Sequence, residues 1–134
     1  MFTLLRSEGL NISFDPVETE DKHYPSVAFD LVVEWATSFN QARIKIKKFW
    51  VAYYDLRQFE KDLREFVEER RDRVELHDMS PEPVLSFSRA GADIFFELKT
   101  EPGYRPGVLT LKTELEPDDA AAMLRNLRDW AKWW

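Results

Sequence analysis

Two alternating segments constrain the fold more than any other part of the chain: Phe29-Asp30-Leu31-Val32-Val33-Glu34-Trp35 and Ala42-Arg43-Ile44-Lys45-Ile46-Lys47. Paired as an antiparallel hairpin, they set Asp30 opposite Lys47, Val32 opposite Lys45 and Glu34 opposite Arg43. The other face then carries Leu31 opposite Ile46, Val33 opposite Ile44 and Trp35 opposite Ala42. A slip of one residue would turn every apolar side chain to the charged face, so the pattern specifies the register. It says nothing about chemistry.

The chain has 134 residues, 44% hydrophobic and 14% aromatic, which suits one core in a single α+β domain over residues 1–134. Ten Phe, five Trp and four Tyr supply much of that core, each burying a large area at small rotamer cost. With no Cys there is no disulfide, thiolate ligand or thiol nucleophile, which fits a reducing compartment. Neither a cationic leader with an apolar run nor a membrane-length apolar stretch is present, and the expected location is the cytoplasm, without membrane attachment.

Net charge is −6, unevenly spread. Residues 1–40 carry 2 basic and 7 acidic groups, residues 41–73 carry 10 and 7, and residues 74–134 carry 7 and 11. Overall acidity argues against nucleic acid as a partner, because such binding relies on Lys and Arg at phosphates. It suits a basic protein partner instead.

Along the chain, Phe2 to Leu5 and Leu10 to Phe14 read as short strands, and Asp15 to Pro25 as an exposed acidic loop. Lys48 falls on the face of Ile44 and Ile46, a conflict that a bulge or a strand end near Lys48 resolves. A helix is predicted from Asp55 to about Arg71, with Asp55 as N-cap, Gln58 completing a capping box, a Tyr54 and Phe59 staple, and a stripe of Phe59, Leu63, Phe66 and Val67. Arg73 to Leu76 is a brief strand. A second hairpin pairs Leu85 with Phe96 and Phe87 with Ile94 around Arg89 to Ala92, and a further strand carries Leu109 and Leu111. The last helix begins near Pro117, with the stripe Ala120, Met123, Leu124, Leu127, Trp130 and Ala131. Counted from Asp55 and from Glu116, apolar residues recur at the same offsets, Phe59, Leu63, Phe66 and Ala120, Leu124, Leu127. This predicts two halves, each a sheet followed by a helix, in a mainly antiparallel twisted sheet of six to eight strands.

Catalytic signatures are missing. His23 and His77 stand alone in turn-rich segments, and Asp118-Asp119 fits the first turn of a helix, where acids stabilise free N–H groups. No P-loop, dinucleotide-binding, EF-hand or zinc spacing occurs, so no enzyme activity, metal or cofactor is expected. Arg43, Lys45, Lys47 and Lys48 beside Phe49 and Trp50 have the composition of a nucleic-acid surface. Asp30 and Glu34 oppose two of these cations, leaving mainly Lys45 unpaired. Trp133 and Trp134 at the chain end are interface candidates, since Trp is favoured at binding hot spots.

Phe39 in a tight hairpin loop, the strand leading into Asp55-Leu56-Arg57-Gln58-Phe59-Glu60-Lys61-Asp62-Leu63, and the order of elements from about Phe29 onward resemble small bacterial immunity proteins of the WapI-like kind. The resemblance implies binding and neutralising a cognate toxin, with no catalysis. The expected function is therefore a non-catalytic protein-interaction module with Trp133, Trp134 and Lys45 as contact residues. Two alternatives are a ligand-binding domain or weak enzyme with a pocket between sheet and helices near His77 and Pro102 to Gly107, and a structural homo-oligomer.

Overall fold

The computed structural model describes residues 1–80, 85–100 and 107–130, together with the backbone of Val84 at a strand start. Two topologically equivalent halves follow one another. The first has strands β1 (Phe2–Ser7), β2 (Leu10–Glu20), β3 (Ser26–Ala36) and β4 (Gln41–Ala52), then helix α1 (Tyr53–Val67). The second has β5 (Arg73–His77), β6 (Val84–Ala90), β7 (Asp93–Thr100) and β8 (Leu109–Leu115), then α2 (Asp119–Asp129). Each half is a four-stranded antiparallel meander in chain order, so the expected single sheet is in fact two sheets of four strands. Eight strands exceed what a short twisted sheet can cover with two helices, and splitting the sheet lets both inner faces share one core.

The helices interlock the halves. Helix α1 packs on β5 of the second sheet, α2 packs on β1 of the first, and the two helices touch each other. Leu56, Phe59, Leu63 and Phe66 of α1 and Ala120, Met123, Leu124 and Leu127 of α2 are buried, so both recurring apolar triplets line the shared core. Fully burying one such Leu or Phe side chain contributes about 1.5–3 kcal/mol. Aromatic rings join the two sides: Trp130 stacks on Phe2 with centroids 4.2 Å apart, and Phe59 lies 6.2 Å from Phe87. Asn126 donates to the Leu4 carbonyl at 2.9 Å, tying α2 to β1.

The hairpin register is observed from Leu31 opposite Ile46 to Trp35 opposite Ala42. Beyond it the strands shift, and Phe29 faces Phe49. Lys48 takes a positive φ of 54°, its N–H bonds to Asp30 Oδ1 at 3.2 Å, and Asp30 no longer opposes Lys47. The bulge expected at Lys48 thus keeps Phe49 and Val51 in the core.

Other expectations are corrected. The loop expected from Asp15 to Pro25 is confined to residues 21–25: β2 runs to Glu20, where Glu18, Thr19 and Glu20 pair with Ala28, Val27 and Ser26. Backbone pairing to a long β3 overrides an acidic, non-periodic sequence there. Helix α1 begins two residues before Asp55, directly from Ala52, with no side-chain cap. Tyr54 is exposed, and Gln58 bonds to Asp62, so neither staple nor capping box forms. The second hairpin pairs Leu85 with Leu98 and Phe87 with Phe96, two residues from the expected register. A shift of two keeps every side chain on its face, and the turn decides between the registers: Gly91, at φ 63°, is the first of two loop residues. Gly9 is required for another reason. A Cβ there would lie 2.8 Å from the Ala36 carbonyl oxygen, and Ala36 N–H bonds to the Gly9 carbonyl at 2.9 Å.

Candidate binding groove at the end of the first sheet

At the end marked by the turn between β2 and β3, the last part of β2 is exposed at Asp15, Val17, Glu18 and Thr19, while the start of β3 is buried. Opposite them, the segment leaving β5 reaches across to β4. Asp78, itself buried, accepts the Trp50 N–H on Oδ1 at 2.6 Å, and Met79 N–H donates to the Trp50 carbonyl at 2.8 Å. Asp78 Oδ2 accepts both the Ser80 N–H and the Ser80 hydroxyl. A buried carboxylate with three donors is well satisfied without a cation. The D-x-S spacing of Asp78 and Ser80 is the local signal of this turn.

These contacts build a groove of about 590 Å³ lined by Glu18, Thr19, Glu20, His23, Tyr24, Ser26, Trp50, Asp78, Met79 and Ser80. Tyr24 is 56% exposed and Met79 46% exposed, unusual for large side chains without a partner. Trp50 lies on the outer face of β4 opposite the fully buried Ala28. The turn beneath is held in place: Ser26 Oγ donates to the Tyr24 carbonyl at 2.9 Å, Glu20 Oε1 accepts the Lys22 N–H, and Tyr53 N–H donates to the Pro25 carbonyl. Tyr53 Oη donates to Asp21 Oδ1 at 3.3 Å, and burial together with that carboxylate holds the phenol above its usual pKa. Chemically, the groove offers an indole, a phenol and a thioether next to two exposed or half-exposed carboxylates. Such a surface attracts a cation carried on an apolar or planar group.

On the same outer face, β4 carries Arg43, Lys45 and Lys47. Lys45, expected to be unpaired, instead meets Asp30 at 3.5 Å, because the bulge brings that carboxylate within its reach. Lys48 pairs with Glu18 at 3.2 Å. Arg43 and Lys47 form no ion pair among the described residues, although Glu34 stands directly across from Arg43. Trp133 and Trp134 lie outside the described residues, as does the loop from Pro102 to Pro106.

The histidines stand apart. His23 sits on the groove rim, whereas His77 lies on β5 with Nε2 2.6 Å from Glu75 Oε2. The Arg73 guanidinium, bonded to Glu75 at 2.6 Å, holds that carboxyl below its usual pKa against the opposing effect of burial, and His77 adds to the lowering. A separate hollow of about 170 Å³ between α1 and β5 includes His77, Asp55, Gln58 and Asp62. Among the described residues, no group of three or more His, Asp or Glu is placed to hold a metal ion, and no helix is long and apolar enough to cross a membrane. The sequence pattern places Trp50 only in a basic, aromatic run and does not bring it to Tyr24, Asp78 and Met79, because separate segments of the chain supply the groove.

No family model and no curated protein matches the chain. Among solved structures it is similar to a chain from the Trypanosoma bruciei MRP1/MRP2 structures, with 12% identity and a TM-score of 0.48, over 89% of this chain and 70% of that one. It is also similar to a chain of a guide-RNA-binding protein complex bound to a gRNA, with 11% identity and a TM-score of 0.47, over 87% and 86%. Likeness at this level assigns neither fold family nor function. The expectation that excluded nucleic acid is nevertheless withdrawn, because net acidity alone does not exclude it: Arg43 and Lys47 on the outer face of β4 form no ion pair among the described residues.

Proposed function

We propose that the chain is a non-catalytic protein-interaction module that receives a basic segment of a partner in the groove beside Trp50. The observation that carries this reading is the exposure of Tyr24 and Met79 around Trp50, rimmed by Glu18 and Glu20. A Lys or Arg side chain suits that combination, its stem against the apolar surfaces and its charge between ring and carboxylate. The net charge of −6 would steer such a partner inward. The resemblance to WapI-like immunity proteins supports a toxin as that partner.

The test is titration of the ¹⁵N-labelled protein with an arginine- and lysine-rich peptide, with an acidic peptide as control. Shifts confined to the Trp50 indole, Tyr24 and Met79 signals are expected, and Trp50→Ala should weaken binding about 30-fold, as for an aromatic hot spot. Unmoved groove signals at saturating peptide would overturn the reading.

A second reading rests on Arg43 and Lys47, which have no ion pair among the described residues and share the outer face with Trp50. A single nucleic-acid strand could run along β4 with a base stacked on the indole. Binding of a single-stranded RNA oligonucleotide that falls steeply with salt and rises in Glu18→Gln/Glu20→Gln would favour it over the peptide.

A further inference from the structure

The tip joining β3 to β4, at the far end of the first sheet from the groove, presents a second surface of a different kind. Phe39 there is 93% exposed, more than any other large hydrophobic side chain described. It is not on a loose loop: Thr37 Oγ1 accepts the Phe39 and Asn40 N–H groups at 3.3 and 3.1 Å, and Thr37 N–H donates to the Asn40 carbonyl at 2.8 Å. The ring is thus held out into solvent by an ordered turn. Beside it opens a hollow of about 530 Å³ lined by Gly9, Asn11, Glu34, Trp35, Ala36, Gln41, Ala42 and Arg43. Half-buried Trp35 supplies an apolar wall, and Asn11 Oδ1 has no hydrogen-bond partner among the described residues.

We infer that this end of the molecule is a self-complementary contact through which two copies of the chain form a weak two-fold dimer, each Phe39 entering the hollow of the other. Three features choose a second copy as the occupant. Knob and hollow adjoin on one hairpin, so a single two-fold axis engages both at once, as an isologous contact requires. Glu34 and Arg43 face each other across the strands and yet form no ion pair among the described residues, leaving one acid and one base on each rim. A two-fold axis places the acid of one copy against the base of the other, so the patch is complementary to itself in charge as well as shape. The contact is separate from the groove at Trp50 and stands without the function proposed for it.

The patch is smaller than a standard stable interface, so a dissociation constant on the order of 100 µM is expected. Sedimentation equilibrium of the wild-type chain from about 5 to 500 µM should show the mass rising from 15.9 kDa toward twice that value. Phe39→Ser, an exposed position whose turn is held by Thr37 and not by the Phe39 ring, should remain monomeric throughout with unchanged circular dichroism. Glu34→Arg and Arg43→Glu should each abolish association alone, because like charges then meet across the axis. Mixed in equal amounts, these two variants should associate again, since every rim pair is restored. A wild-type chain that stays monomeric up to the highest concentration would overturn the inference. So would a dimer that survives Phe39→Ser, or a failure of the mixed variants to associate.

Discussion

The two halves share one topology and differ in length. Strands β1 to β4 span 6, 11, 11 and 12 residues, whereas β5 to β8 span 5, 7, 8 and 7. The core needs only the shorter lengths, since one helix on each side covers about that much sheet. The additional residues of the first half project past the core at both ends. One projection carries Glu18 to Tyr24, close to Trp50 on the outer face of β4, and the other carries the Phe39 tip. The second half is mostly frame, with outer rows such as Glu75, Ser86, Glu97 and Lys112 laid across short strands. Where a fold is used twice in one chain, binding surface accumulates on the copy that exceeds what packing requires.

Matched substitutions probe this division most strongly. Leu63 and Leu124 hold equivalent places in their helices, but Leu63 is fully buried while Leu124 is 6% exposed near the surface. Leu63→Ala should cost about 3–4 kcal/mol and Leu124→Ala nearer 2 kcal/mol in urea unfolding, both in a single transition because the core is shared. Separate transitions for the halves would break the interlocked description. The next effect concerns the join between sheets. Asp78→Ala leaves the Trp50 N–H without its acceptor and should cost about 2 kcal/mol, while Ser80→Ala, which leaves the Asp78 to Trp50 bond intact, should cost under about 1 kcal/mol. Equal losses would show that the Trp50 contact is not what joins the halves there.

The smallest effect lies on the frame half. Arg73 and His77 lower the pKa of Glu75 from 4.5 in the folded chain, so their contribution is present above that value and is lost as pH falls through the lower, folded value. Arg73→Ala should therefore reduce stability at pH 7 and leave it unchanged at pH 2. Because the pair is largely solvent-exposed, the difference should stay within a few tenths of a kcal/mol, read from urea midpoints at the two pH values. A larger change would mean that β5 is held more by charge than by Val74 and Leu76.

What could be read in advance follows from how tightly each segment's pattern binds its geometry. The β3–β4 hairpin was legible because charge and apolar alternation agree, and even the Lys48 bulge announced itself as a lysine on the wrong face. The recurring helix triplets likewise pointed to two halves. The length of β2 was hidden, because beyond Pro16 the stretch Val17 to Glu20 has no apolar alternation and is a strand only through pairing with its neighbour. The β6–β7 register was ambiguous by two, since Leu85, Phe87, Ile94, Phe96 and Leu98 satisfy either pairing and only Gly91 decides. The groove was least visible. Trp50 meets Asp78 and Met79 through hydrogen bonds of its backbone that span 28 residues or more, which no local period records, and Tyr24 lines the same groove from another turn.

Strand β4 is one of the two edge strands of its sheet, and its free side would ordinarily be a template for another chain to add to. Its design works against that outcome. Lys48 breaks the straight run of the backbone, Asp78 and Met79 occupy the donor and acceptor of Trp50, and lysines crowd the remainder. A face rich in exposed aromatics can therefore be offered to a partner while the adjoining rim is closed to polymerisation, and the protein should stay dispersed at concentrations where an unprotected rim of this length would seed aggregates.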